Sequence, residues 1–340
     1  MLYRLARPAL FCLDAERAHT LTMAALAAAP GLAGAMIGVP RVQAPATLLG
    51  LQFPNRVGLA AGLDKNAECL AAWEHMGFGF VEVGTVTPLG QPGNPLPRMF
   101  RLPEHGAIIN RLGFNNHGME AMATKLEASR RRFTGVLGIN IGKNAITPIE
   151  NAADDYVACL RRLHRYADYI TANISSPNTK NLRELQNETA LKELLGKLAI
   201  ARDDLAQTEG RRAPMLLKIS PDIGAAQVPV IVALAKAHGV DGLIASNTTL
   251  DRDRVAGHAH AAEGGGLSGQ PLRARAQALI AALRQEAGPD YPLIGVGGIA
   301  SARDAQARRR AGADMVQIYT GFIYQGPELI LAAAKALAET

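Results

Sequence analysis

The chain has 340 residues, 48% of them apolar and 19% charged, with no low-complexity tract, which excludes a disordered chain and implies a packed one. The formal net charge of +6 favours anionic ligands, phosphates or a negative membrane surface. Nucleic acid is excluded, because no Lys/Arg stripe is interleaved with aromatics and aromatics make up only 5%.

Residues 1–40 form a segment of their own. Arg4 and Arg7 sit in an apolar helix-like stretch ending near Leu13, and Asp14 reads as the N-cap of a second helix that Pro30-Gly31 ends. From Thr20 to Pro40 no residue is charged, but the stretch is rich in Ala and Gly and broken by Pro30, which argues against a membrane span. A signal peptide cleaved at Ala33-Gly34-Ala35 is opposed by Asp14, Glu16, Arg17 and His19, which interrupt the required pattern. A helical hairpin lying on a bilayer surface is the expectation.

From residue 41 the pattern becomes strand then helix, repeated. Apolar, β-branched runs fall at Arg56–Ala60, Phe80–Val86, Val136–Gly142, Tyr169–Ser175, Met215–Ser220, Gly242–Asn247, Leu293–Gly297 and Val316–Thr320. Helix-like stretches separate them at Ala67–Met76, Asp154–Tyr166, Thr189–Ala206, Ala225–His238 and Arg303–Arg310, and Glu328–Ala338 closes the chain. Near-continuous apolar strands imply burial on both faces, and strict alternation implies a parallel sheet. Eight such units predict a (β/α)8 barrel over 41–340, about 250 residues being usual for that fold. The Pro-rich stretch from Thr87 to Met119, with runs at Met99–Leu102 and Ala107–Asn110, is too long for an idle loop and follows a strand end, where barrel active sites lie. Arg130-Arg131-Arg132 reads as a solvated helix face. Cys12, Cys69 and Cys159 are far apart with no CxxC, so neither a disulfide framework nor a zinc site is indicated, and no metal is expected.

Seven of the eight strand ends carry an Asn, Lys or Thr: Lys65, Thr85, Asn140, Asn173, Lys218, Asn247-Thr248 and Thr320. Packing alone does not select such residues. The glycine-rich run Gly264–Gly269 reads as a loop before a helix, and Gly295-Val296-Gly297-Gly298 ends the seventh strand. Glycine lets backbone N–H groups approach a phosphate, and phosphate sites in these barrels follow strands seven and eight. No GxGxxG follows the first strand, so NAD binding is not indicated.

The segments "GLAAGLDKN", "GTVTPLGQPGNPLPR", "INRLGFNN", "NISSPNT", "LKISPD", "ASNTT", "GGLSG", "GVGGI" and "QIYTGF" follow one another in order. Together, over essentially the whole chain, they resemble the dihydroorotate dehydrogenases, FMN enzymes that oxidise dihydroorotate to orotate in pyrimidine (UMP) biosynthesis. The resemblance implies Ser176 as catalytic base; class 1 members carry cysteine there, so serine points to class 2, which reduces a membrane quinone. It further implies substrate contacts from Lys65, Asn110, Arg111, Leu112, Gly113, Phe114, Asn173, Asn178, Asn247 and Thr248. FMN contacts would come from Ala61, Gly62, Leu63, Asp64, Lys65, Thr85, Asn140, Asn173, Lys218, Ser246, Gly269, Gly298, Tyr319 and Thr320. His19 and Arg101 are similar to residues that line the quinone tunnel. A monomer on the cytoplasmic side of the cell membrane follows as an expectation. The alternative, a soluble class 1 enzyme using fumarate or NAD, is opposed by Ser176 and by the apolar leader. A dihydrouridine synthase or dihydropyrimidine dehydrogenase would need a catalytic cysteine or iron–sulfur clusters that three scattered cysteines cannot supply.

The residue chemistry agrees. Several neutral Asn side chains can match a ring edge of alternating carbonyl and N–H groups. Lys65 can meet a carboxylate, and Lys218 can stabilise negative charge on a reduced flavin. A serine is a poor base in water, and Thr179 and Phe114 are conjectured as walls or relays for its proton.

Overall fold

A computed structural model describes residues 2–31, 33 and 42–339. The expected boundary between residues 40 and 41 and most of the Ala33-Gly34-Ala35 stretch lie outside those residues. Eight parallel strands close into a barrel in chain order: β1 (Val57–Leu59), β2 (Phe80–Val86), β3 (Val136–Ile141), β4 (Tyr169–Asn173), β5 (Met215–Ile219), β6 (Gly242–Ala245), β7 (Leu293–Val296) and β8 (Met315–Ile318). Each lies almost wholly within one of the expected runs. Every strand residue is buried, as a sheet wrapped by helices requires. The run Phe80–Val86 matches its strand, and the other seven overshoot theirs at the C-terminal end, where the chain leaves the ladder and turns into the loops that carry chemistry.

The expected helix over Ala67–Met76 is shorter, Leu70–His75. Ala67 has φ +58°, a conformation that cannot propagate a right-handed helix. The buried Asp64 carboxylate instead accepts from the N–H groups of Glu68 (2.8 Å) and Cys69 (2.9 Å) and from Trp73 Nε1 (2.9 Å). A hairpin, Ala46–Leu48 with Leu51–Phe53, plugs the N-terminal end of the barrel, Phe53 meeting Phe80 edge-on at 5.3 Å.

Within the Thr87–Met119 interruption, Met99–Leu102 and Ala107–Asn110 pair as an antiparallel hairpin, and Gly266–Gly269 adds a third strand. The glycine-rich run is therefore largely a strand, not a loop. Its glycines admit close neighbours, since a Cβ at Gly269 would lie 2.3 Å from the Gly106 carbonyl oxygen. The arginine run forms a 3-10 turn in which Arg131 and Arg132 are exposed, as expected, whereas Arg130 binds Asp168 at 2.7 Å and the Tyr166 and Phe133 carbonyls.

The leading helices are α1 (Leu2–Cys12) and α2 (Ala15–Ala28). Asp14 caps α2 by accepting from Glu16 N and Arg17 N at 3.0 Å each. Arg98 clamps Glu16, with Nη2 to Oε1 at 2.7 Å and Nε to Oε2 at 2.9 Å, a paired geometry stronger than a single contact. Met23 and Leu26 join the main core cluster beside Trp73. Their outer face is apolar and open, with Leu5 78% and Leu21 50% exposed. Among the described residues no helix is long and apolar enough to cross a membrane.

Candidate active site

The C-terminal strand ends surround a cavity of about 140 Å³. Ala61, Gly62 and Lys65 come from the end of β1, Thr85 from β2, Asn173, Ser176 and Asn178 from the end of β4, and Lys218 from β5. Ser246, Asn247 and Thr248 follow β6, Gly298 follows β7, and Tyr319 and Thr320 follow β8. The hairpin segment adds Asn110, Leu112, Gly113 and Phe114, and the third strand adds Gly269. One face of one barrel thus gathers most of the residues singled out from the sequence.

Of the expected catalytic, substrate and FMN positions, four do not line this cavity. Asp64 is the buried acceptor described above. Asn140 lies one layer deeper, taking the Thr85 hydroxyl (2.6 Å) and the Asn173 amide (3.1 Å) on its Oδ1. Arg111 points away, bonded to Glu263 at 2.6 Å and lying over Phe100. Leu63 faces a second cavity. Conversely, the sequence reading missed Ser268 and Gln317 in the lining and Glu82 beneath it. Glu82 is a fully buried carboxylate in mid-strand; a lone acid in "FVEVGTV" was the available signal.

The amides form a chain. Asn173 Nδ2 also donates to Thr85 Oγ1 (3.0 Å), Ser175 Oγ donates to Asn173 Oδ1 (2.8 Å), and Asn247 Nδ2 donates to Ser175 Oγ (2.9 Å). Asn178 Nδ2 donates to Asn110 Oδ1 at 3.2 Å. Such mutual bonds fix which end of each amide faces the cavity. Ser246 Oγ, Thr248 Oγ1, Asn178 Oδ1 and Gln317 Oε1 are buried without a protein partner, and all four residues line the cavity. Buried polar groups are rarely left so; the set fits a polar, ring-shaped ligand. Gly298 has φ +73°, and a Cβ there would lie 2.3 Å from Arg273 Cα. Packing against the helix Arg273–Ala287 thus requires glycine, independently of any phosphate.

A second cavity of about 120 Å³ lies between α1, α2 and the barrel, lined by Phe11, Ala18, Met23, Leu26, Leu63, Trp73, Met99, Ile108 and Phe322, with Tyr3, His19, Thr22 and Arg101 as polar groups. Tyr319 lines both cavities. Burial, with Lys65 nearby, pushes His19 down to about 3, so it offers a neutral imidazole. Arg101 is partly committed: it donates to the Leu10 carbonyl (3.1 Å) and the Leu13 carbonyl, closing the end of α1, and its guanidinium lies 4.6 Å from the Phe11 ring centre.

The sequence pattern of dihydroorotate dehydrogenase matches residues 43–340. The chain belongs to the dihydroorotate dehydrogenase family. It is 56% identical over 338 residues to a protein named dihydroorotate dehydrogenase (quinone) from Leptothrix cholodnii, 98% of each chain being covered. It is equally identical over 337 residues to one of the same name from Methylibium petroleiphilum, again covering 98% of each. The fold is similar to the crystal structure of DHODH from Eimeria tenella in complex with ferulenol, with a TM-score of 0.87 at 37% identity, covering 95% of this chain and 90% of that one.

Lys65 opens partly onto the cavity yet lies deep in the protein. Burial pushes its ammonium down to about 8, Glu16 drawing it back up and Arg98 opposing. An anionic ligand binds the charged form. Orotate affinity is therefore expected to be highest below pH 8 and to fall as pH rises through that value and Lys65 loses its proton. Lys65→Ala should weaken orotate about 10- to 150-fold at pH 7, a charged hydrogen bond being worth about 1.5–3 kcal/mol, and should flatten the profile. Calorimetric dissociation constants across this range check it; a flat wild-type profile would contradict the assignment.

Proposed function

We infer that the chain oxidises dihydroorotate to orotate in de novo pyrimidine biosynthesis, with FMN in the first cavity and a membrane quinone as final acceptor. The observation that carries the reading is the meeting at Tyr319 of a cavity into which amides, hydroxyls and two lysines converge with one that is almost wholly apolar. A polar substrate and a hydrophobic quinone need separate approaches to one redox centre. The unpartnered Ser246 Oγ and Gln317 Oε1 and the Lys218 ammonium fit a flavin, and the unpartnered Asn178 Oδ1 and Thr248 Oγ1 fit the substrate. When bound, FMN supplies the hydride acceptor and hands the electrons on.

The protein's own groups do the rest. Lys65 meets the substrate carboxylate, and the Asn110, Asn173, Asn178 and Asn247 amides match the ring's alternating donors and acceptors. Ser176, 5% exposed, removes the proton from the carbon beside a ring carbonyl, while the neighbouring carbon gives up the hydride. Gly298, Tyr319 and Thr320 supply backbone and hydroxyl donors for the phosphate. Burial depresses the Lys218 ammonium while Glu82, 3.8 Å away, raises it.

The exposed Leu5 and Leu21 face, with Arg4 and Arg17 beside it, suits the headgroup region of an anionic leaflet. The protein is read as a peripheral, monomeric enzyme on the cytoplasmic side, the quinone entering between α1 and α2. Acceptor preference tests this reading. Orotate should form with a long-chain quinone in vesicles and not with fumarate or NAD; the reverse preference would overturn it.

A further inference from the structure

The Glu82 carboxylate is fully buried midway along β2, where a charge is costly unless paired and hydrogen-bonded. Five donors from four strands converge on it. Asn140 on β3 reaches Oε1 at 2.8 Å, and Tyr169 and Thr171 on β4 reach Oε2 at 3.1 and 3.2 Å. Gln317 on β8 reaches Oε2 at 2.9 Å, and Lys218 Nζ on β5 lies 3.8 Å from Oε1. Glu82 does not line the cavity, but Lys218 and Gln317 do.

A carboxylate only accepts hydrogen bonds, so each amide beside it must present its NH₂ end. The opposite ends are thereby assigned. Asn140 Oδ1 receives Thr85 and Asn173, whereas Gln317 Oε1 is buried with no protein partner. Lys218 and Gln317, both held by the one carboxylate, thus bring an ammonium donor and a carbonyl acceptor to the same cavity. The pyrimidine end of a flavin presents the complement, a ring N–H flanked by carbonyls.

We propose that Glu82 is a positioning residue that fixes the donor–acceptor pattern of the cofactor floor, holding Lys218 as a cation and turning Gln317 to accept from the flavin ring N–H. This rests on the flavin reading of the cavity. Burial lowers the Lys218 pKa and Glu82 raises it. The other groups facing this carboxylate, Tyr169, Thr171, Asn140 and Gln317, carry no charge, Tyr169 being kept neutral by burial beside Glu82. Lys65 enters the same cavity from the end of β1. Without the carboxylate, Lys218 loses its proton at lower pH and both amides are free to flip.

The test is FMN rebinding to full-length, flavin-stripped protein, followed by flavin fluorescence quenching from pH 6 to about 9.5, the upper end lying below the ~10.4 of an unperturbed lysine. Glu82→Gln should bind FMN at least tenfold more weakly at neutral pH, and its affinity relative to wild type at the same pH should fall further as pH rises, the ratio cancelling the titration of Lys65 common to both. Glu82→Asp, which keeps the charge, should restore the wild-type profile. FMN methylated at the ring N–H should lose affinity for wild type and lose less for Glu82→Gln. If Glu82→Gln does not fold, the double variant Glu82→Gln/Lys218→Met leaves no uncompensated buried charge; it should fold and bind FMN weakly at every pH. Glu82→Gln matching wild type within twofold, or weakened equally at all pH values, overturns the proposal, as does normal affinity in the double variant. Wild type that binds no FMN would instead overturn the flavin reading beneath it.

Discussion

Ser176→Ala is expected to slow anaerobic flavin reduction by dihydroorotate about 10²- to 10⁴-fold, the usual contribution of a positioned general base, while FMN and orotate stay bound. Ser176 Oγ accepts from Asn178 N at 3.2 Å. Among the described residues no histidine or carboxylate hydrogen-bonds to it. Losing that one acceptor costs about 0.5–1.5 kcal/mol, too little to unfold a barrel of this size. Because no neighbouring base draws off its proton, the wild-type rate should rise with pH as deprotonation becomes easier. Stopped-flow bleaching of the flavin reads both effects. An alanine variant within twofold of wild type would remove Ser176 from the role.

Much of this was legible beforehand, for identifiable reasons. The eight strands are buried on both faces, so their apolar runs stand out against the helices. Asp14 announced α2 because a capping side chain has no better use at that point. The plug hairpin at 46–53 was not read, since its turn is Leu49-Gly50, both at positive φ, and lacks the Asn-Gly that marks such turns. Glu82 and Gln317 were hidden inside runs classed as core; only the closed barrel reveals that alternate residues of a strand point inward to a shared polar layer. Ser176, Asn110 and Asn178 were assigned roles by family resemblance, not by composition, and their convergence needed the fold. Asp64 and Arg111 show the opposite limit: neighbours of site residues in sequence, they support the loop and the hairpin instead.

Deleting residues 1–40 is expected to abolish vesicle binding and to collapse turnover with long-chain quinones, while a small soluble dye remains an effective acceptor. None of the residues lining the first cavity precedes Ala60, whereas α1 and α2 form one wall of the second. Met23 and Leu26 leave the core with the deletion, and each buried apolar side chain contributes about 1.5–3 kcal/mol. Melting temperature and flavin content must therefore be compared on the same preparation. Equal losses with dye and quinone would mean that the helices serve only the barrel's stability. Unchanged quinone turnover would place the quinone elsewhere.

Such catalysis requires one barrel face to join a flavin to dihydroorotate. The most direct measurement is the absorption spectrum of the purified protein, before and after dihydroorotate is added without oxygen. The expected result is a bound flavin whose visible bands bleach on addition and return when a quinone is supplied. A colourless protein, or a flavin that dihydroorotate leaves oxidised, would contradict it.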